Sequence, residues 1–360
     1  MKRAFNFSAG PAILPVYALE EAQKEIVNFK NSGMSLMEVS HRTPLYEDVH
    51  NETISLIREL YKVPDNFDIL FLQGGASSQF FMIPMNLVHN DEIADYIITG
   101  AWSEKAIKEA KILGKKTNVV ATSKDKNFNY IPSELKFTPS AKYVHMTSNE
   151  TIHGVQFKKL PETNGVPLII DASSDIFSYH IDWKNIGAIY AGAQKNAGPA
   201  GATIVIMRKD LYEREKETIP TMLRYSTHAK ENSLYNTPPV FTIYMIGLNL
   251  KWLKSLGGID AMNAINEKKA KYIYDAIDES NGFYKGHAEK NCRSLMNIPF
   301  IMKSEDLEKK FIKESETLNM IGLKGHRSVG GLRASVYNAM PEEGCLALAN
   351  FMKDFMKKNG

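Results

Sequence analysis

The chain has little cysteine, little net charge and no long apolar run, and each shortage excludes a class of protein. Only two of its 360 residues are cysteines, which argues against a disulfide framework and fits a reducing compartment. The net charge of +3 is small and no long basic run occurs, so we do not expect nucleic-acid binding. No apolar run approaches the roughly 18 residues of a membrane helix, and the segment Met1–Ser8 has no apolar signal core. We therefore expect a soluble cytoplasmic protein.

What the chain does contain is an alternation of helical and strand-like segments between about residues 15 and 210. Leu19, Ala22, Ile26 and Phe29 lie at helical spacing. Seven short apolar segments are typical of strands buried on both faces: 69–72, 96–98, 119–120, 143–144, 168–170, 188–190 and 203–206. The pattern predicts an α/β fold whose large domain holds a mostly parallel seven-stranded sheet sandwiched by helices.

The pattern changes after about residue 255. The pair Gly257-Gly258 breaks the chain, a long helical stretch begins at Ile259, and strand-like segments follow at 294–300 and 331–337. Pro341 opens a terminal helix. We predict a large domain over residues 15–255 and a smaller α+β C-terminal domain over residues 256–360. The sequence leaves open whether residues 1–14 join the smaller domain.

A lysine and an aspartate follow two of the predicted strands. Lys195 comes shortly after the segment 188–191, and Asp171 ends the segment 168–170. Ligands gather at the carboxyl ends of parallel strands, and burial there favours a neutral, nucleophilic amine. Pyridoxal phosphate needs such an amine and an anion for its ring nitrogen. The alternative is an exposed loop lysine and a helix-capping aspartate.

Three other strand ends carry candidate cofactor contacts. Gly74-Gly75 would leave the amides of Ala76 and Ser77 free at a helix N-terminus, which is a phosphate site. Trp102 could stack on a flat cofactor, and Thr151 could hydrogen-bond a phenolic oxygen. The alternatives are a tight turn, a core tryptophan and a turn threonine.

Two His-Arg pairs and a further arginine favour an anionic substrate. They are His41-Arg42, His326-Arg327 and Arg333, and guanidinium groups bind carboxylate and phosphate bidentately. Each arginine taken alone is better explained as a surface residue. The proline-bounded segment 235–239 is an ordered loop whose Asn236 and Thr237 could also contact phosphate.

These motifs resemble, in order and at similar spacing, those of the phosphoserine aminotransferases, which are class V aminotransferases of pyridoxal-phosphate fold type I. The resemblance runs nearly end to end. It rests on residues 5–12, 40–42, 74–77, 100–103, 149–154, 171–175, 193–196, 235–239 and 331–335. Ala197 is one small departure, since a branched aliphatic residue is expected after Lys195-Asn196.

The resemblance implies a role for each candidate. Lys195 would hold pyridoxal 5'-phosphate covalently, with Asp171 at the ring nitrogen, Trp102 on the ring and Thr151 at the phenolic oxygen. The cofactor phosphate would be held by Ala76, Ser77 and Gln194, and by Asn236 and Thr237 of the neighbouring subunit of a homodimer. Arg333 would take the substrate α-carboxylate, and His41, Arg42, His326 and Arg327 the side-chain carboxylate or phosphate.

The implied reaction is L-glutamate plus 3-phosphohydroxypyruvate giving 2-oxoglutarate and O-phospho-L-serine, in serine biosynthesis. A related step of vitamin B6 synthesis is a further expectation by analogy. Three rival readings are a cysteine desulfurase, which needs an accessible thiolate at Cys292 or Cys345, a transaminase for glyoxylate or pyruvate, and a non-catalytic binding protein on the same fold.

Overall fold

The strands of the computed structural model, which describes residues 3–360, form one large sheet and three small ones. The strands are β1 (Phe5–Asn6), β2 (Phe67–Leu72), β3 (Ile93–Ile98), β4 (Lys116–Thr122), β5 (Val144–Thr147), β6 (Asn149–Glu150), β7 (Val155–Gln156), β8 (Leu168–Asp171), β9 (Ile186–Gly192), β10 (Thr203–Arg208), β11 (Lys285–Gly286), β12 (Asn297–Ile301), β13 (Met320–Ile321) and β14 (Leu332–Ser335). The α-helices are α1 (Val16–Glu25), α2 (Pro44–Tyr61), α3 (Gly75–Leu87), α4 (Ala101–Ile112), α5 (Tyr225–Lys230), α6 (Val240–Ser255), α7 (Gly258–Asp278), α8 (Glu305–Thr317) and α9 (Glu342–Asn359).

The large sheet has seven strands in the order β2-β10-β9-β8-β5-β3-β4. Strand β10 runs antiparallel to both of its neighbours, and the other pairings are parallel. One face packs against α2, α6 and α7, and the other against α3 and α4. The predicted mostly parallel seven-stranded sheet between helices is therefore confirmed.

Two details of the sequence prediction are wrong. Strand β4, predicted to be buried on both faces, is at the edge of the sheet and is largely half-exposed or exposed. Helix α1 ends at Glu25, so Ile26 and Phe29 lie beyond it. Phe29 is still fully buried, because a 3-10 turn over Phe29–Asn31 brings its ring to 5.5 Å from Tyr244. Apolar spacing predicted burial there correctly but not the backbone conformation.

The C-terminal part contains a separate apolar cluster. Strands β11, β12 and β14 form an antiparallel sheet, and α7, α8 and α9 pack with it around buried side chains such as Phe311 and Met352. Strand β1 pairs with β13, and Phe7 lies in the same cluster. The domain division at residue 255 stays a prediction. Within residues 3–360, every helix is too short or too polar to cross a membrane.

Candidate active site

The structure brings Lys195, Thr151 and Trp102 together beyond the carboxyl ends of the large sheet's strands. Lys195 follows β9 by three residues, and its Nζ donates a hydrogen bond of 2.7 Å to Thr151 Oγ1. The same Nζ lies 5.0 Å from the centroid of the Trp102 ring. Three segments far apart in the chain thus meet at one amine.

The amine of Lys195 is prepared for nucleophilic and proton-transfer chemistry by its surroundings. Burial lowers the pKa of Lys195 from 10.5 to about 8, the negative charge of Asp171 opposes this, and Arg333 adds to it. An amine with a pKa of about 8 has a substantial neutral fraction near neutral pH, which an exposed lysine lacks.

Asp171 ends β8 and is 3% exposed. Burial raises the pKa of its carboxyl group, whereas the charge of Lys195 and the Ser173 amide lower it. The Ser173 N–H donates to Asp171 Oδ1 at 3.0 Å, which fixes the carboxylate from one side. A buried carboxylate held in this way suits a positively charged ring nitrogen, because the ion pair would repay the desolvation of the carboxylate.

The turn from β2 into α3 forms an anion cradle. Gly74 and Gly75 adopt left-handed φ angles of +90° and +65°, and a Cβ at Gly74 would lie 1.9 Å from Ser78 Oγ. A Cβ at Gly75 would meet open space, since, apart from its two chain neighbours and the nearby backbone of α3, no atom of residues 3–360 lies within 4 Å of it. The first-turn amides of Ala76 and Ser77 have no intrahelical partners. Open space in front of free amides fits the phosphate of the predicted cofactor.

Gln194 and the N-terminal segment close the site around the lysine. The Gln194 carbonyl accepts from the Ala12 amide at 2.9 Å, and a Cβ at Gly10 would lie 3.3 Å from Lys195 Cγ. Gly10 has a φ of +146°, a backbone conformation that favours glycine, and the 3.3 Å approach leaves little room for a larger side chain. The sequence prediction gave residues 9–12 no place in the site.

Glu150 is a buried residue of the site that sequence reasoning missed. Its carboxylate accepts hydrogen bonds from Ser103 Oγ (2.7 Å), Ser103 N (3.0 Å) and Trp102 N (3.1 Å). It therefore caps the N-terminus of α4, the helix that carries the predicted stacking ring. Gly100 leaves room for it, because a Cβ there would lie 2.4 Å from Glu150 Cδ. Burial raises the pKa of Glu150 to about 7.

Arg333 and His326 lie on the C-terminal side of the site. Arg333 is on β14, and its Nη1 donates to the Thr151 carbonyl at 3.3 Å. Both residues line one cleft, and burial, together with the positive charge of Arg333, lowers the pKa of His326. Arg327 is exposed. The structure thus places the carboxylate-binding candidate beside the Lys195–Thr151 pair.

Within residues 3–360, no hydrogen bond joins Lys195, Thr151, Trp102, Asp171 or Arg333 to four of the predicted site residues, which are His41, Arg42, Asn236 and Thr237. His41 Nε2 is buried without a hydrogen-bond partner among the described residues, and Arg42 is exposed. The Thr237 carbonyl accepts from Gln73 Nε2 at 3.2 Å. Their assignment to a partner's site stays a prediction, because the structure describes one chain.

The buried donor set agrees with the cofactor that the motifs imply. Trp102 Nε1 is a buried donor without a hydrogen-bond partner in residues 3–360. With the amine of Lys195, the carboxylate of Asp171 and the amides at the start of α3, it lines a site that offers an amine, an anion, a flat ring and a phosphate cradle. These are the groups that pyridoxal phosphate uses in a protein.

Comparisons with known proteins agree along the whole chain. The family model described as aminotransferase class-V matches residues 4–348. A phosphoserine aminotransferase of Lysinibacillus sphaericus is 55% identical over 360 residues, which cover 99% of this chain and 99% of that relative. The solved structure of phosphoserine aminotransferase from Bacillus circulans subsp. alkalophilus has a TM-score of 0.98 at 52% identity and covers 100% of both chains. A PLP-bound phosphoserine aminotransferase from Trichomonas vaginalis has a TM-score of 0.93 at 43% identity, over 98% of this chain and 100% of that one.

Proposed function

Because the chain belongs to the class-V aminotransferase family, and within it to the phosphoserine aminotransferases, we propose that it moves an amino group reversibly between L-glutamate and 3-phosphohydroxypyruvate. The products are 2-oxoglutarate and O-phospho-L-serine, and the reaction serves serine biosynthesis. The observation that carries the proposal is the half-buried Lys195 amine, 2.7 Å from Thr151 Oγ1 and beside the Trp102 ring.

The proposed cofactor is pyridoxal 5'-phosphate. Lys195 would hold it covalently, Asp171 would keep its ring nitrogen protonated, and Thr151 would contact its phenolic oxygen. The amides of Ala76 and Ser77, with the Gln194 side chain, would hold its phosphate. When bound, the cofactor supplies an aldehyde for the amino group and a ring that accepts the electrons of the Cα–H bond.

Lys195 performs the proton transfers in this proposal. Its neutral amine takes the proton from Cα of the bound amino acid and returns a proton in the reverse half-reaction. Thr151 Oγ1 orients the amine through the 2.7 Å hydrogen bond. One site handles both half-reactions in turn, so the kinetics are ping-pong.

Arg333 is proposed to bind the α-carboxylate of both substrates. Its guanidinium is half-buried, and burial lowers its pKa, so a carboxylate that pairs with it would offset part of its desolvation. The distal group, a carboxylate in glutamate and a phosphate in the other substrate, would meet His326 and Arg327. We propose a homodimer in which His41, Arg42, Asn236 and Thr237 complete the neighbouring subunit's site.

The desulfurase reading does not fit the two thiols. Cys345 is fully buried in α9, and burial raises its pKa to about 12. Cys292 is 3% exposed, and burial raises its pKa as well. A thiol that stays protonated cannot act as a nucleophile near neutral pH.

The test is the absorbance spectrum of the purified protein before and after addition of O-phospho-L-serine. We expect a visible cofactor band that shifts towards the ultraviolet as the cofactor takes up the amino group, and no such band in Lys195→Ala. A band that responds to L-alanine but not to O-phospho-L-serine would keep the aminotransferase and reject the phosphorylated substrate. No band after reconstitution with pyridoxal phosphate would favour the binding-protein rival. The vitamin B6 step and a cytoplasmic location stay predictions; the former is checked with 4-phosphohydroxy-L-threonine as amino donor.

A further inference from the structure

The cleft that Arg333 and His326 line is a cavity that adjoins the candidate active site through these two residues. Its volume is about 340 Å³. One wall comes from the segments 126–129 and 152–153, which adjoin the large sheet, and the opposite wall from β11, β12 and residues 325–333. Hydrogen bonds join the two walls at its rim, from the Glu289 amide to the Asn129 carbonyl and from the Ser294 amide to the Gly154 carbonyl, at 2.8 and 2.9 Å. The cavity therefore spans the two parts of the chain.

The lining of this cavity is basic. Six side chains that carry a positive charge, or gain one on protonation, contribute to it, and none of its lining residues is an aspartate or glutamate. The six are Lys126, His153, Lys285, His287, His326 and Arg333. The remaining surface includes apolar side chains such as Ile152 and Phe300. A lining of this kind attracts small anions that carry a short carbon body.

His153 is the most buried of the six, at 6% exposure. Its Nδ1 is buried and has no hydrogen-bond partner within residues 3–360. Its ring packs 5.0 Å from Phe128 and 5.6 Å from His287. An unpaired polar atom in a buried position is costly, so its presence beside a basic cavity indicates a ligand that supplies the missing partner.

The other two histidines are held by backbone groups. His287 Nε2 lies 2.9 Å from the Asn127 carbonyl and so donates to it. His326 Nδ1 accepts from the Ser328 amide at 3.2 Å. Within residues 3–360, no three His, Cys, Asp or Glu side chains are arranged to hold a metal ion, so the cluster is better suited to an anion than to a cation.

We propose that this cavity is a second anion site, in which His153, His287, Lys126 and Lys285 bind a small phosphate-bearing anion next to the catalytic lysine. The anion is free phosphate, which binds while the substrate occupies its own site. The site goes beyond the proposed function, because its four main residues have no part in the amino-group transfer. Its occupant would bridge the two parts of the chain that form its walls.

Binding at this site takes up protons. Burial lowers the pKa of His153 to about 4, and repulsion from His287 and His326 contributes. The groups that face it across the cavity are cationic or basic as well: Lys126, Lys285 and Arg333. An anion reverses this repulsion and raises the pKa of His153, so the affinity for phosphate increases as the pH falls and decreases as it rises.

The test measures binding of inorganic phosphate to the cofactor-loaded protein by calorimetry. The variants are the double substitution Lys126→Ala with Lys285→Ala, and His153→Phe, which keeps a ring beside Phe128. We expect each to weaken phosphate binding by about tenfold or more, since each removes charged hydrogen bonds. Lys124→Ala is the matched control, because Lys124 lies in the same 3-10 turn as Lys126 but pairs with Glu104 at 2.7 Å outside the cavity.

Competition identifies the source of the anion. If phosphate still binds in the presence of saturating O-phospho-L-serine, and the cavity variants are impaired, the cavity is an anion site separate from that of the substrate. If O-phospho-L-serine abolishes phosphate binding, the cavity is part of the substrate's own phosphate site and the proposal of a second site is overturned. The proposal is overturned if the cavity variants bind phosphate as the Lys124→Ala control does, or if the unaltered protein binds none at millimolar concentration. The phosphate titration without O-phospho-L-serine involves no amino transfer, so its result is distinguishable from that of the test of the proposed function.

Discussion

Replacing Glu150 by glutamine should change how the stability of the protein depends on pH. Burial raises the pKa of Glu150 from 4.5 to about 7, so the folded protein binds a proton more tightly than the unfolded chain. The stability that this group contributes is present below pH 4.5 and is lost as the pH rises through about 7. At about 1.4 kcal/mol for each pH unit, the loss is about 3 kcal/mol.

Glutamine has no charge, so Glu150→Gln does not suffer this loss. Its amide oxygen can replace only one of the two carboxylate oxygens, which leaves a buried donor such as the Trp102 amide facing an NH2 group. An unpaired buried donor costs about 1–3 kcal/mol. The variant should therefore be less stable than the unaltered protein near pH 5, and equal or more stable near pH 8.5.

The assay is urea unfolding of the cofactor-free protein and its variant at both pH values. Glu104→Gln is the matched control, because Glu104 lies on the same helix, α4, and its partly exposed carboxylate pairs with Lys124. The reasoning is refuted if the difference in unfolding free energy between Glu150→Gln and the unaltered protein is the same at both pH values.

Three further predictions concern the site. Asp171→Asn should lower kcat by about 10- to 100-fold, since it removes a charge-assisted hydrogen bond of about 1.5–3 kcal/mol. Steady-state kinetics would check this once the variant is shown to contain as much cofactor as the unaltered protein. An unaltered kcat would contradict the prediction. Thr151→Val keeps the shape of the side chain but removes its 2.7 Å hydrogen bond to Lys195. The value of kcat should therefore fall by about tenfold, and the dependence of kcat on pH should shift. An unshifted dependence on pH would show that Thr151 does not orient the amine of Lys195. Gly154→Ala should destabilise the fold by about 1–3 kcal/mol. A Cβ at this position would lie 2.2 Å from Pro299 Cδ, and the φ of +67° is strained for alanine. A melting temperature equal to that of the unaltered protein would contradict this prediction.

The sheet could be predicted from the sequence because its central strands are buried on both faces and are therefore apolar throughout. The same rule failed at β4, which has only one neighbouring strand, β3, and keeps polar residues such as Asn118. The rule of helical spacing failed after Glu25, where apolar residues continue at helical intervals although the helix has ended. Periodicity reports which side chains are buried, and burial does not require a continuous helix.

Lys195 and Asp171 could be predicted because a strand end is a local feature of the sequence. Glu150 could not, since it caps a helix 47 residues away in the chain, and nothing in the sequence around it marks that contact. The approach of Gly10 to Lys195 joins segments that are still further apart. The only sequence signal was the resemblance itself, whose motifs include both residues without stating what they contact.

The proposed bond between Lys195 and the cofactor is tested by reduction with borohydride followed by peptide mapping. A competing candidate exists, because Lys269 is fully buried and burial lowers its pKa to about 8, as it does for Lys195. The Lys269 amine donates to the carbonyls of Tyr337, Asn338 and Met340, so we expect it to be unreactive. We predict one pyridoxyl group per chain, on the peptide that contains Lys195. A pyridoxyl group on Lys269, or on any other lysine, would contradict the account.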